Sequence, residues 1–295
     1  MGKIILHSDI NSCFANIECL YNPSLRGKPV SVCGSIEQRH GIVLASTIEA
    51  KRCGVKTGEA IWQAKLKCPE LITVPPHYDR YVKFSKLSRE IYAEYTDMVE
   101  PFGLDEAFLD VTGHPLSQNG GKPIAEEIRR RIKAELGITV SVGAADNKIF
   151  AKLGSDIKKP DAVTVITPEN YREKVWPLPV DSLLYVGRKT RDKLNGLGIT
   201  TIGHLAMCDI SILTKLLGKT GELIWTFANG LDPTPVSRIG QGNVIKSISN
   251  GTTPPRDMRT LEDGKIILCM LADTVSERLR EHGFKAGTVC INARD

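Results

Sequence analysis

The sequence has no Cys-x-x-Cys pair, no histidine cluster, no signal-peptide core and no apolar run near the roughly 20 residues that span a bilayer. Each absence removes a class. Eight cysteines stand at 13, 19, 33, 53, 68, 208, 269 and 290. At those spacings, and without histidine company, they form neither a zinc site nor a disulfide framework. Reduced thiols and a cytoplasmic location are expected, with no membrane partner. The N-terminus, Met1-Gly2-Lys3, runs straight into a short apolar strand. A dominant charge is also missing: 39 Lys and Arg against 34 Asp and Glu leave a formal charge of +5. A polyanionic partner would therefore be met by a local stripe rather than by the whole surface.

What remains is an ordinary globular composition, 41% hydrophobic over 295 residues. That is enough for about two to four packed units. Residues 3–9 read as a buried strand, continuously apolar until Ser8-Asp9, and a helix follows around Cys13–Cys19. Residues 20–76 are dense in Gly, Pro and Asn turns, with short strands at Val30–Cys33 and Gly41–Ala45 and short helices at Thr47–Arg52 and Glu59–Leu66. They read as a small inserted subdomain. From 79 to 98 a long amphipathic helix places Tyr81, Phe84, Leu87, Ile91, Tyr95 and Met98 at steps of three and four. Two β-like runs then meet at Leu104-Asp105-Glu106-Ala107, a hairpin with adjacent acids near its tip. A second helix carries Ile124, Ile128, Ile132 and Leu136 and stops at Gly137. Ile138–Ala144 reads as a strand, Asn147–Ile157 as a helix, and Ala162–Ile166 as a closing strand.

With the insertion set aside, the order is strand, helix, strand, strand, helix, strand, an α+β, ferredoxin-like split βαβ arrangement. Its first and third strands lie side by side and antiparallel, so the end of one faces the start of the other. Asp9 ends the first; Asp105 and Glu106 begin the third. An isolated Asp-Glu would ordinarily be a turn cap beside a solvated acid. Three carboxylates at one sheet edge repel unless a positive charge lies among them. Hard oxygen donors suit Mg²⁺, which binds through one or two carboxylates plus substrate phosphates. Two such ions about 4 Å apart can activate a hydroxyl and hold a leaving pyrophosphate.

Residues 167–231 read as wholly helical, with a basic helix, Lys189-Thr190-Arg191-Asp192-Lys193, ending in glycines. Such a glycine-turned pair can present N–H groups and cations to phosphates. A polar, glycine-punctuated stretch at 237–243 reads as a linker. A last unit follows, with strands at Val244–Ser249 and Thr288–Asn292 around a helix at Leu261–Glu281. It is too small to close a core and reads as truncated.

Several of these stretches together resemble the Y-family DNA polymerases, the translesion group that includes bacterial polymerase IV and UmuC-like proteins. The first motif is Asp9 with Phe14, Ala15 and Glu18; the second is Leu104-Asp105-Glu106-Ala107-Phe108-Leu109-Asp110. Val142-Gly143 through Asn147-Lys148, Ala151-Lys152 and Lys159-Pro160 match, as does Asn22-Pro23-x-Leu25-x-Gly27-Lys28-Pro29-Val30. The match runs from residue 3 to about 235 and weakly beyond.

The resemblance implies a palm at 1–19 and 77–166, fingers at 20–76, a thumb with a helix-hairpin-helix at 167–233, a linker at 234–243 and a partial little-finger domain at 244–295. It implies template-directed transfer of deoxynucleotides to a primer 3′-hydroxyl, with primer-template DNA and dNTPs as partners. Asp9, Asp105 and Glu106 would hold two Mg²⁺ ions, replaceable by Mn²⁺, with the main-chain carbonyl of Ile10 as a further ligand. Phe14 would exclude a ribose 2′-OH, Cys13 would stand beside it at the substrate, and Lys159 and Lys51 would meet the triphosphate. Arg188, Lys189 and Lys193 would contact DNA. A sliding clamp would be met through a tail beyond Asp295. No exonuclease-like acid cluster is visible, so low fidelity without proofreading is expected.

The departures from the family pattern are specific. Ala45 and Ile48 stand where Thr and Tyr hydroxyls are usual, and Lys51 replaces a bidentate guanidinium with a point charge. Losing two hydroxyl contacts and the fork could cost a few kcal/mol of nucleotide affinity. Asn11 stands where an acid is common, Cys13 where an aromatic is common, Gly103 where Ser is frequent and Tyr185 at a customary glycine. These motivate an alternative, a weakly active or non-catalytic DNA-binding accessory protein. A nucleotide cyclase on a palm-like sheet is the third reading. Primer extension separates the first two, and a cyclic-nucleotide assay without DNA tests the third.

Overall fold

The structure, a computed structural model, describes residues 2–37, 39, 41–241 and 245–294. The chain divides into two units, Met1–Gly27 with His77–Gln241, and Lys28–Pro76 with Gly242–Asp295.

The first unit opens with β1 (Ile5–Ile10), six residues all buried, which is why its sequence runs apolar without alternation. It enters α1 (Cys13–Tyr21) through Ser12 at φ 46°. The second unit begins with β2 (Val30–Cys33), β3 (Val43–Ser46), α2 (Ile48–Arg52), α3 (Ile61–Lys67) and β4 (Ile72–Val74). The strands form a sheet ordered β3-β2-β4, with β2 antiparallel to β3 and parallel to β4. Val43, Ala50, Ile61, Ala64 and Leu71 pack its core. The sequence did not announce β4; three residues bounded by prolines are too short for a periodic signal.

In the first unit again, α4 (Tyr78–Ala93) is shorter than the pattern suggested and turned differently. Its buried face is Tyr81, Phe84, Ser85, Ser88, Ile91 and Tyr92, so two serines lie where Leu87 was expected to lead. Met98 is not helical. Thr96 Oγ1 donates to the Asp110 carbonyl and accepts from the Met98 N–H, so a local side-chain turn competes with further helix.

Next come β5 (Val99–Phe102), β6 (Glu106–Asp110), α5 (Lys122–Arg131), β7 (Val140–Ala145), α6 (Lys148–Ile157) and β8 (Val163–Val165). The sheet is five-stranded, ordered β5-β6-β1-β7-β8, with β1 antiparallel to both β6 and β7. This is the split βαβ order with β8 added parallel at the edge. Gly137, at φ 69°, ends the helical run after α5. Asn147 caps α6, its Oδ1 accepting from the Phe150 N–H at 2.8 Å. Helix α6 lies unusually close to β7: a Cβ built on Gly143 would fall 1.9 Å from the Ala151 carbonyl oxygen.

The remainder of this unit is helical: α7 (Tyr171–Lys174), α8 (Arg188–Asn195), α9 (Ile202–Met207), α10 (Ile210–Leu217) and α11 (Lys219–Ala228). These helices share one core with α6, in which Phe150 and Leu153 meet Leu183, Leu194, Leu205, Leu213 and Phe227. The following segment returns to β5, the Ser237 N–H donating to Glu100 and the Ile239 N–H to the Asp97 carbonyl.

In the second unit, α12 (Leu261–Glu281) starts at a Thr260–Asp263 capping box and buries no residue. Strands expected at 244–249 and 288–292 do not form at residues 245–249 or 288–292. Apolar alternation there finds no partner strand, and a ladder needs one. Residues 242–244 of the expected linker and last domain, and residue 295, lie outside the described residues. Among the described residues no helix is long and apolar enough to cross a membrane. Among the described residues no cysteine is joined in a disulfide.

Candidate active site

Strand pairing brings the acids together. Asp9 and Glu106 are direct cross-strand partners, and the Ile10 N–H donates to the Asp105 carbonyl at 2.9 Å. Asp105 ends the turn that Gly103 makes at φ 85°, a left-handed conformation that a serine would adopt only with strain. Gly103 is thus the residue this hairpin requires.

Two ammonium groups face the acids. Lys159 Nζ donates to Asp9 Oδ2 at 2.6 Å and pairs with Asp156 at 2.7 Å. Lys152 Nζ reaches both oxygens of Glu106 at 2.9 Å. Burial pushes the Asp9 carboxyl well above the usual range, Lys159 opposing and Glu106 adding to the rise. Asp105 is raised too, by burial and then by Glu106. Burial also acts upward on Glu106, but His7 and Lys152 more than offset it and hold that carboxyl low.

His7 lies wholly buried beneath Glu106. The Ser155 hydroxyl donates to the Lys152 carbonyl at 2.7 Å, so it accepts from His7 Nδ1–H at 2.8 Å. Burial lowers the pKa of the ring, and the Glu106 carboxylate opposes that fall. Nε2 faces Glu106 Oε2 at 3.4 Å, too long for a full hydrogen bond.

Beside the acids, Cys13 is buried, its thiol pushed up by burial and by nearby Asp105 and Asp9. Phe14 stacks face to face on Tyr81, with centroids 4.1 Å apart and planes within 7°. The Tyr81 hydroxyl donates to buried Glu18 at 2.7 Å, and Arg80 holds the other oxygen of that carboxylate at 2.7 Å. The aromatic wall is therefore anchored from behind.

Of the residues expected from the sequence, Asp9, Ile10, Cys13, Phe14, Asp105, Glu106 and Lys159 fall in this one neighbourhood. Lys51 lies on α2 of the second unit. Arg188, Lys189 and Lys193 are exposed on α8. The loop before α8 and helix α6 line a cavity of about 380 Å³ that includes Lys152 and Tyr185. Tyr185 takes φ 70°, the left-handed region its customary glycine would occupy freely. Sequence reasoning missed His7, Ser155, Lys152 and Tyr81. Only Lys152 gave a signal, as a lysine within a matching motif.

Among the described residues no three His, Cys, Asp or Glu side chains close on a single point. The donor set still suits a hard cation: oxygen ligands only, two of them raised in pKa, by burial first and by the neighbouring Glu106 charge as well.

The description "impB/mucB/samB family" matches residues 8–156, and its C-terminal domain matches residues 245–295. The chain is 55% identical to DNA polymerase IV of Acetivibrio thermocellus over all 295 residues, covering 74% of that protein. It is 42% identical to DNA polymerase IV 1 of Bacillus subtilis over 99% of this chain and 70% of that one. A Y-family DNA polymerase chimera of Dbh and Dpo4 superimposes with a TM-score of 0.83 at 28% identity, covering 93% of this chain and 80% of the chimera. The insertion ternary complex of Dbh DNA polymerase gives 0.72 at 31% identity, over 79% and 69%.

Proposed function

This chain belongs to the impB/mucB/samB family, the Y-family DNA polymerases, and from that premise we propose which of its side chains carry the reaction. It is a DNA-directed DNA polymerase of the translesion type, acting on DNA and dNTPs. No observation favours the non-catalytic alternative.

The observation that carries the site assignment is the register of β1 on β6, which sets Asp9 opposite Glu106 with Asp105 one residue away. Asp9, Asp105, Glu106 and the Ile10 carbonyl would hold divalent cations. Bound there, such ions supply Lewis-acid polarisation of the phosphoryl group and favour the ionised primer 3′-hydroxyl. The protein's own groups do the remainder. Lys159 sits at the acids on an arm that can pass from Asp9 to the triphosphate, exchanging one anion for another. Lys152 holds Glu106 in place through both carboxylate oxygens, while His7 packs beneath it. Phe14 closes the floor under the sugar, and Tyr81, tied to Glu18, stops its ring from yielding to a 2′-hydroxyl. Exposed Arg188, Lys189 and Lys193 on α8 offer cations to the DNA backbone, and Lys51 on α2 is the proposed remnant of a triphosphate clamp. The domains follow as palm at 1–19 and 77–166, fingers at 20–76, thumb at 167–233, linker at 234–243 and little finger at 244–295.

The test is primed-template extension with deoxy- and ribonucleotides on wild type and Phe14→Ala. Steric exclusion of one hydroxyl is worth about 10- to 200-fold. Phe14→Ala is expected to raise ribonucleotide use relative to deoxynucleotide use within that range. Unchanged sugar selectivity would remove Phe14 from the gate.

A further inference from the structure

The turn after α6 is held by more contacts than its sequence suggests. Asp161 is a non-glycine residue at φ 56°, a conformation that L side chains rarely adopt. Three elements converge on it. Its N–H donates to Asn11 Oδ1 at 2.8 Å, and buried Asn11 donates onward to Ser141 Oγ at 2.8 Å, tying the turn to β1 and β7. Its carboxylate receives Arg129 at 2.6 Å and Lys133 at 2.7 Å, from α5 and the helical run that continues it. Burial works against that charge, but the two cations hold the carboxyl below its ordinary range. Asn11 suits this use because one amide accepts from Asp161 while donating to Ser141; a carboxylate could not do both. Residues in strained backbone persist only when their surroundings over-determine them, and they cluster where geometry matters. Two residues before Asp161 stands Lys159, with its ammonium on Asp9.

We propose that Asp161 is a positioning residue: gripped by Arg129 and Lys133, with Asn11 on its backbone, it fixes the turn that presents Lys159 to Asp9 and to the incoming triphosphate. This rests on the assignment of Lys159 to the triphosphate. Freed from its cations, the turn would relax and Lys159 would have to be ordered anew with each nucleotide. The cost would fall on KM for the nucleotide rather than on kcat.

The experiment is a double-mutant cycle on steady-state primer extension, with Asp161→Asn, Lys159→Ala and both together. Asn tolerates the left-handed backbone and removes only the charge. Loss of one charge-assisted anchor is expected to raise KM for dNTP about tenfold. In that variant kcat and DNA affinity should stay near wild type. In the Lys159→Ala background the same change should add nothing, because the arm then has nothing to present. Lys133→Met, at an exposed lysine whose loss spares the fold, should move KM in the same direction by less. Equal effects of Asp161→Asn with and without Lys159, or a lowered melting temperature with KM unmoved, would reduce Asp161 to a structural residue and overturn the proposal. A Lys159→Ala enzyme with normal KM would overturn it differently, by removing Lys159 from the triphosphate altogether.

Discussion

Glu106→Ala is expected to abolish primer extension, lowering kcat by about a thousandfold or more, the scale seen when a group stabilising transition-state charge is lost. DNA binding, followed by fluorescence anisotropy, should persist. Glu106 faces Asp9 across the strand pair, takes both contacts of Lys152 and caps the space above His7. Its removal leaves Asp9 and Asp105 with one fewer oxygen donor for a cation. It also releases Lys152, whose ammonium would move toward the two remaining acids and compete with that cation. Both effects act on chemistry. The exposed cations of α8, proposed to face DNA, are untouched, so binding should not follow activity down. A variant that extends primers at the wild-type rate would show that this carboxylate is not a ligand.

Gly143→Ala should be the most damaging single methyl in the first unit. The added Cβ would meet the Ala151 carbonyl at 1.9 Å, the Ser155 N–H nitrogen at 2.5 Å and the Gly154 carbonyl carbon at 2.8 Å, all backbone of α6. No side chain can rotate away, so the helix must lift off β7. That helix carries Lys152 to Glu106 and Ser155 to His7, so the site would loosen with the fold. Overpacking of a core ordinarily costs about 1–3 kcal/mol, and a clash against rigid backbone belongs at or beyond the top of that range. A fall of roughly 10 °C in melting temperature, or loss of soluble protein, is expected. Gly264→Ala on α12, where nothing lies within 4 Å, provides the contrast. There the same substitution should be neutral or slightly stabilising, as alanine is in a helix. A folded Gly143→Ala protein with an unshifted melting curve would mean that α6 does not sit this close to β7.

The juxtaposition of Asp9 with Asp105 and Glu106 was legible because three local signals agree: a buried strand ending in an acid, a hairpin beginning with two, and an element order that makes their strands neighbours. Period and turn chemistry are local, so a sequence exposes them. The supports of the site are not local. His7 meets Ser155, and Asn11 meets Asp161, across about half the chain, and neither histidine nor asparagine announces its partner. The face of α4 was misread for a related reason. Ser85 and Ser88 are polar by type, yet they lie buried where α4 packs into the unit's core, a place set by tertiary contacts. The missing strands at 245–249 and 288–292 show the converse, an alternating pattern with no neighbour to pair with.

On the proposed assignment the three carboxylates act as one cation-binding set. The direct measurement is Mn²⁺ uptake by electron paramagnetic resonance, with primer-template DNA and a non-hydrolysable dNTP present, on wild type and on the Asp9→Asn, Glu106→Gln double variant. Wild type should take up about two ions per chain, and the double variant should lose that uptake while still binding DNA. Equal uptake by the two proteins would contradict the assignment of these acids to the metals.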